Sequence, residues 1–501
     1  MGILLLYSFV LLFFLSPDSY IRDLYYHADG AAFFMCGKAW MNGMVPYVDF
    51  TDSKGPLLWL FYGLGYLISH HSYIGVFWIS IVVYTATLFT AYKLCRLFVG
   101  KDISAFSAAS LPFFLFCFLY HFEVRAEDFC YPFIMLSLYC ACRILKYRAS
   151  DGGTYFKLSA LMGACMMCCV LIKYNDGAMI IGLMAVVLYM AVRHKSGRQS
   201  FLGMVVGAVV AAMPFVVCFL IYGNLGAFVH EYFINTFETI LNRHGGELSL
   251  SSYQTMLLIA NYCLLGVMAL GIYCFSKRHK IGYWLMPCFV TAIVCIGNYW
   301  DMYYYSALMP FSIILIMVFT EFITDKIPLL RKNIGALGTI VVILSMATNL
   351  VVYTTRKFTL DDETRQRRYR AEYVMSQIKK PKLFYYNECE SGIGMPAGVL
   401  PACKHWIRQS GCTEEMDGER QESFRSGAAD FVCAVNPDEE EIKEIEGCGY
   451  VYYYDAPRFH WRSAKERHDV SVFGRPGLRL PPEDFHVSKW DVWLKRNILG
   501  I

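Results

Sequence analysis

Long apolar runs separated by short polar segments fill the first 355 residues of the chain. A transmembrane helix needs about 20 consecutive, mostly apolar residues, and most of these runs approach that length. The runs are centred on residues 2–16, 73–94, 104–121, 129–147, 156–174, 177–193, 201–222, 254–275, 283–297, 304–323 and 334–355. The pattern predicts an all-α polytopic membrane domain with about 11 transmembrane helices. Residues 55–69 are also apolar, but this stretch is short and glycine-rich, which favours a re-entrant or interfacial helix.

The chain becomes polar after Tyr353. About 145 residues follow, which is enough for one independent domain. We therefore predict two domains, residues 1–355 in the membrane and a small C-terminal α/β domain over residues 356–501. Its pattern predicts a helix at Glu363–Lys379 and short strands at Lys382–Tyr386, Phe431–Val435 and Tyr450–Tyr454.

Composition supports the membrane class, since 56% of the residues are hydrophobic and only 17% are charged. The formal net charge of +4 is small, and no basic block stands out. A nucleic-acid partner is therefore not expected.

Lysine and arginine crowd alternate loops, and the loops between them carry mostly acids. By the positive-inside rule, the N-terminus is cytoplasmic, and the acidic loops and the C-terminal domain lie outside. The basic loops contain Lys93, Arg96, Lys101; Arg143, Lys146, Arg148, Lys157; Arg193, Lys195, Arg198; Lys277, Arg278, Lys280; Lys326, Arg331 and Lys332.

Polar clusters that could carry chemistry all fall on the predicted outer side. Ionisable groups held against a bilayer are costly, which makes them candidates for a functional site. A carboxylate there could accept a proton, and lysine or arginine could bind a leaving phosphate. The candidates are Asp29, Asp49, Asp52 and Lys54 in the first outer loop; Arg125, Glu127 and Asp128; Lys173 and Asp176; Arg243; and Tyr304.

Each cluster also has a purely structural interpretation. The first outer loop could be a solvated surface loop. Glu127 and Asp128 could only cap the following helix, where acids are favoured by the helix dipole. Lys173 could be a lysine that snorkels from a helix end beside a neighbouring carboxylate. Tyr304 could belong to an interfacial aromatic belt.

The first outer loop resembles that of GT-C-type integral membrane glycosyltransferases, in particular glycosyltransferase family 39, which includes the lipid A aminoarabinose transferase and the protein O-mannosyltransferases. The resemblance rests on Asp29-Gly30, Gly37-Lys38, Gly43, Pro46-Tyr47, Asp49 and Lys54-Gly55-Pro56-Leu57, and it covers roughly residues 1–355. The chain departs from the family pattern where Gly30 replaces the second acid of an Asp-Glu pair. It departs again where Gly55 replaces the first proline of a Lys-Pro-Pro-Leu-like motif.

The resemblance implies an enzyme that transfers a sugar from a polyprenyl-phosphate donor to an extracytoplasmic acceptor at the outer face of the cytoplasmic membrane. It implies that Asp29 is the catalytic base, that Lys54 contacts the phosphate, and that Glu127 or Asp128 is a second carboxylate. Carboxylates from two loops could also hold a divalent cation. The alternative is a transporter or flippase of lipid-linked sugars, which would be expected to carry ionisable groups near mid-membrane.

Overall fold

A computed structural model gives the architecture of the chain. It describes residues 2–16, 19, 28–115, 125–147, 152–239, 252–296, 302–340, 343–344, 347, 362–387, 392–394, 398–408, 412–457, 469–488 and 490. The domain boundary predicted between residues 355 and 356 lies outside these residues, as does Arg243.

Most of the described chain is helical. The helices are α1 Gly2–Leu15, α2 Ala28–Met41, α3 Pro56–Ile68, α4 Ile74–Arg96, α5 Lys101–Leu115, α6 Ala126–Tyr147, α7 Gly152–Val170, α8 Tyr174–Arg193, α9 Gly197–Tyr222, α10 Leu225–Val229, a π-helix His230–Asn235, α11 Ser252–Arg278, α12 Gly282–Ile296, a 3-10 helix Met302–Phe311, α13 Ser312–Lys326, α14 Pro328–Lys332, α15 Asp362–Met375, α16 Glu414–Arg425 and α17 Glu439–Gly447.

Seven helical segments of the described chain are long and apolar enough to cross a membrane. They are α4, α6, α7, α8, α9, residues Leu258–Arg278 of α11, and Tyr304–Lys326. Helices α1, α3 and α12 are apolar but shorter. Parts of the apolar runs at residues 104–121 and 334–355 lie outside the described residues. The predicted polytopic helical architecture is confirmed.

The chain forms two compact units, each built from three separate segments. Unit 1 contains Met1–Leu15, Ser80–Val217 and Ser249–Val352, and unit 2 contains Ser16–Ile79, Cys218–Leu248 and Tyr353–Ile501. In unit 1, α6 packs against α7, α8 and the 3-10 helix.

In unit 2, α2 and α3 form a pair whose backbones touch. A Cβ atom on Gly37 would lie 2.4 Å from the backbone nitrogen of Gly63, so only glycine permits this approach. Phe33 and Tyr62 pack edge to face beside it, with ring centroids 5.6 Å apart. The close pairing fixes the two helix ends that carry the connecting segment, residues 42–55, which we name the first loop.

A five-stranded sheet lies in the C-terminal part of unit 2. It contains β1 Lys382–Tyr385, β2 Leu400–Pro401, β3 Phe431–Val435, β4 Val451–Pro457 and β5 Asp469–Gly474. The order of the strands across the sheet is β2-β1-β3-β5-β4. Strands β2, β1 and β3 are parallel, whereas β5 is antiparallel to both β3 and β4. Its core contains Phe384, Phe424 and Tyr450, and Phe424 stacks on both other rings. The predicted α/β region is therefore confirmed.

Candidate functional site

The first loop is held in a defined shape by its own backbone and by Asp49. Tyr47 adopts a positive φ of 62°, and its amide donates a hydrogen bond to the carbonyl of Phe50 at 2.8 Å. One carboxylate oxygen of Asp49 accepts a hydrogen bond from the amide of Val45 at 2.7 Å. The carboxylate of Asp49 therefore stabilises the turn itself.

Aromatic packing fixes the same turn from one side. The Tyr47 ring lies 4.7 Å from the Trp59 ring of α3 and 5.3 Å from Phe228 of α10. Trp59 in turn contacts Phe50. The side-chain amide of Asn224 donates a hydrogen bond to the carbonyl of Pro46 at 2.6 Å. The loop is therefore packed into unit 2, which contradicts the interpretation as a slack solvated loop.

Beyond the turn, the chain runs back along α2 and brings three predicted site residues together. Asp29 is half-buried in the first turn of α2, and Asp52 is buried with 7% of its surface exposed. The ammonium of Lys54 donates to the hydroxyl of Ser53 at 2.9 Å, and that hydroxyl donates to the carboxylate of Asp52 at 3.1 Å. We name Asp29, Asp52, Ser53 and Lys54 the Asp29–Lys54 cluster.

The electrostatics of the Asp29–Lys54 cluster favour proton transfer. Burial raises the pKa of Asp52 above its usual value; Lys54 counteracts this increase, and the nearby Asp29 adds to it. Lys54 also lies over the Phe33 ring, with 5.6 Å between its nitrogen and the ring centroid. A carboxylate pair beside a half-buried ammonium can accept a proton and stabilise a phosphate at the same place.

Lys38 also lies on α2, the helix that carries Asp29. It was not among the predicted site residues. It is 1% exposed, and its nitrogen lies 4.0 Å from the sulfur of Met35. A lysine is rarely so buried in a protein interior. The sequence offered a signal for it, since Gly37-Lys38 is part of the family-like pattern.

A second group of predicted residues meets in unit 1. Lys173, which precedes α8, forms an ion pair with Glu127 of α6, and both side chains are nearly inaccessible to solvent. The Lys173 nitrogen lies 4.6 Å from the centroid of the Tyr304 ring. Asp176 is buried in the first turn of α8. We name Glu127, Lys173, Asp176 and Tyr304 the Lys173 cluster.

Only 6% of Lys173 is exposed, so its ammonium does not reach solvent as a snorkelling lysine would, whereas the carboxylate neighbour of that interpretation is present as Glu127. Burial alone would lower its pKa, but Glu127 and Asp176 outweigh this effect and raise the pKa of Lys173 above its usual value. Lys173 is therefore a buried ammonium paired with a carboxylate.

Asp128 and Arg125 lie beside the Lys173 cluster at the start of α6. The carboxylate of Asp128 accepts a hydrogen bond from the amide of Arg125 at 3.2 Å. Tyr131 forms a side-chain hydrogen bond with Asp128 as well. Asp128 therefore caps the helix, as its structural interpretation anticipated. Within the described residues, no group of three or more His, Cys, Asp or Glu side chains could hold a metal ion.

Comparisons with known proteins give the fold. Residues 53–222 match the dolichyl-phosphate-mannose-protein mannosyltransferase family. The crystal structure of ArnT from Cupriavidus metallidurans bound to undecaprenyl phosphate is similar over 94% of this chain and 96% of that chain, with a TM-score of 0.62 and 13% sequence identity. The chain has a GT-C-type fold. The predicted resemblance is thereby confirmed.

Other structures agree with the GT-C assignment. Apo ArnT from the same organism gives the same TM-score of 0.62, identity of 13% and coverage of 94% and 96%. The apo oligosaccharyltransferase of Archaeoglobus fulgidus has a TM-score of 0.50 and 12% identity over 97% of this chain and 75% of that chain. No curated protein sequence matches this chain significantly. The fold and the apolar helices together make it a multi-pass membrane protein.

Proposed function

We propose that this protein is a glycosyltransferase that moves a sugar from a polyprenyl-phosphate donor to an extracytoplasmic acceptor. The observation that carries the proposal is the Asp29–Lys54 cluster, in which two carboxylates and an ammonium lie together beside the α2–α3 pair. The GT-C fold supports it, and ArnT, which shares this fold, has been crystallised with undecaprenyl phosphate.

In the proposed reaction, a hydroxyl or amine of the acceptor attacks the anomeric carbon of the donor sugar. Asp29 takes the proton of this nucleophile. The buried Asp52 lies next to it and offers hydrogen-bonding capacity there, and its raised pKa favours the protonated form. The bond between the anomeric carbon and the phosphate oxygen breaks. Lys54 stabilises the charge that develops on the departing polyprenyl phosphate.

Glu127 and Asp128 are proposed as second carboxylates within unit 1, and Lys173, Asp176, Arg125 and Tyr304 as groups that hold or orient them. Glu127 is already fixed by Lys173, and Asp128 by the amide of Arg125. Because both carboxylates already have hydrogen-bonding or ionic partners, we propose that they are held in a fixed orientation rather than exchanging protons freely. Asp49 is proposed to keep the first loop in shape, and the role predicted for Arg243 stays a prediction.

We propose that this chemistry lies on the outside of the cytoplasmic membrane, with the N-terminus in the cytoplasm, because basic and acidic loops alternate along the chain. A flippase of lipid-linked sugars is the competing function. It would move the donor without consuming it.

Asp29→Asn tests the proposal, because it removes the base and keeps the shape of the side chain. We expect transfer to fall about 10²–10⁴-fold, the usual cost of losing a general base. The measurement is sugar transfer by purified protein from a panel of polyprenyl-phosphate sugars, with mass spectrometry of lipid carriers and envelope glycans in cells. Wild-type protein that moves donors across the membrane without cleaving them would favour the flippase. An Asp29→Asn variant with more than about a tenth of the wild-type rate would move the base elsewhere.

A further inference from the structure

Four charged or polar side chains meet in unit 2 at a place that the proposed reaction does not use. The ammonium of Lys404 lies 3.0 Å from one carboxylate oxygen of Glu231 and 2.6 Å from a carboxylate oxygen of Glu419. His405 Nε2 lies 3.3 Å from Glu419 and 3.9 Å from Glu231. We name Glu231, Lys404, His405 and Glu419 the Lys404 cluster.

Two of the four side chains of the Lys404 cluster are buried. The side chains of Glu231 and His405 are 6% and 5% exposed. Burial lowers the pKa of His405 to about 4, so this imidazole is neutral at physiological pH. Burial also opposes the charge of Lys404, but hydrogen bonds to Glu419 and Glu231 outweigh it and raise the pKa of Lys404. Lys404 therefore supplies the positive charge that balances Glu231.

Three distant parts of the sequence supply the cluster. Glu231 comes from the π-helix, which is an uncommon element that often marks functional sites. The side-chain amide of Asn235 donates a hydrogen bond to Glu231 at 2.9 Å and orients it. Lys404 and His405 follow β2, and Glu419 lies on α16. The cluster thus ties the π-helix to the C-terminal sheet region.

The same segment holds the first loop. The backbone carbonyl of Lys404 accepts a hydrogen bond from the amide of Thr51 at 2.9 Å, and Thr51 is 3% exposed. The residue after Thr51 is Asp52 of the Asp29–Lys54 cluster. A second contact joins the two regions, since the Lys382 nitrogen lies 3.6 Å from the sulfur of Met44.

Buried hydrogen bonds anchor the segment that carries Lys404. Arg420 of α16 is fully buried and donates hydrogen bonds to the carbonyls of His405 and Tyr385 at 2.8 Å each. The amide of Tyr385 in turn donates to the carbonyl of Trp406 at 2.9 Å. The segment that contacts Thr51 is therefore anchored to β1, which is an inner strand of the sheet.

From these contacts we infer that Lys404 is a positioning residue for the proposed transfer: the Lys404 cluster fixes the Thr51 amide, and with it the carboxylate of Asp52, relative to Asp29. The inference rests on the proposed function. It makes the C-terminal sheet region a part of the catalytic apparatus, rather than a cover or an independent module. Misplacing a catalytic group by about 1 Å can cost about 100-fold in rate.

Lys404→Met tests this inference, because it removes the charge and keeps much of the side-chain length. We expect kcat to fall at least about tenfold, with a smaller change in the KM for the donor. Amide hydrogen exchange should accelerate in a peptide covering residues 47–54. Lys404→Arg should recover part of kcat, because the charge survives. The matched control is Arg425→Gln, which removes an exposed cation that pairs with Glu444 in the same C-terminal region and should leave both readouts unchanged.

The double variant Glu231→Gln/Lys404→Met guards against a simple folding defect, because it removes the buried carboxylate together with its partner. We expect it to fold and to keep the low kcat and the faster exchange. Wild-type kcat and wild-type exchange in this variant would overturn the inference. Faster exchange in the 47–54 peptide can be measured even if no donor is ever turned over. Failure of the proposed function, in which wild-type protein transfers no sugar, is therefore distinguishable from failure of the positioning role.

Discussion

Replacing Lys173 by methionine should destabilise unit 1 strongly. In the folded protein the ammonium of Lys173 is paired with Glu127, and the two side chains are only 8% and 3% exposed. Removing one partner of a buried ion pair typically costs about 3–5 kcal/mol, because the other charge stays buried without compensation. The contact of Lys173 with the Tyr304 ring at 4.6 Å adds about 0.5–2 kcal/mol. The buried carboxylate of Asp176 would lose a favourable neighbour as well.

The double variant Glu127→Gln/Lys173→Met distinguishes the effect of the ion pair on stability from the role of Glu127 in the reaction. Replacing both members of a buried pair by uncharged groups is often neutral or even stabilising. We therefore expect the double variant to be about as stable as the wild type. We expect it to lose transfer activity, because Glu127, one of the two proposed second carboxylates, is gone.

Thermal unfolding in detergent or nanodiscs measures the first effect, and sugar transfer measures the second. A loss of about 3–5 kcal/mol should lower Tm by at least about 5 °C. Arg278→Met is the matched control within unit 1. Arg278 pairs with Glu321 at 2.9 Å but is 32% exposed, so its loss should cost no more than about 1 kcal/mol. An unchanged Tm in the Lys173→Met variant would refute the reasoning, and a fully active double variant would make Glu127 structural.

Two further predictions concern the phosphate contact and the sidedness of the membrane domain. Lys54→Ala should weaken donor use about ten- to hundredfold, because a charge-assisted contact contributes about 1.5–3 kcal/mol. Lys54→Arg should recover part of this loss. Unchanged donor kinetics with lower thermal stability would make Lys54 structural. A cysteine introduced at Lys280 should be shielded from impermeant reagents in intact cells, whereas one at Gly418 should be labelled, and the opposite pattern would invert the proposed topology.

The elements that rest on local sequence pattern were predictable. Apolar runs located α4, α6, α7, α8 and α9, because lipid and protein interior demand the same apolar residues. The strands at Lys382–Tyr385 and Phe431–Val435 also follow predicted runs. Strand β2 was missed because it has only two residues, and its pairing with β1 depends on neighbours in space rather than on its own composition.

The candidate site was predictable where the chain brings residues together locally, and not where it joins distant segments. Asp52 and Lys54 are linked through Ser53, which lies between them in the sequence. Lys173, by contrast, finds Glu127 46 residues earlier. Local hydropathy alone therefore describes Lys173 as a helix-end lysine. The contact of Lys404 with the first loop spans a still longer stretch of chain and leaves no local signature.

Unit 2 is assembled from three segments that the ribosome delivers far apart in time. The Asp29–Lys54 cluster is synthesised within the first 60 residues, whereas the carbonyl that receives the Thr51 amide belongs to residue 404. Because loop closure over such a distance cannot begin before both ends exist, the first loop waits through the insertion of the intervening helices before it acquires this anchor. The order of synthesis therefore prevents early assembly of the proposed site. A nascent chain that has not yet released its last quarter lacks the contact that we propose orders Asp29 and Asp52.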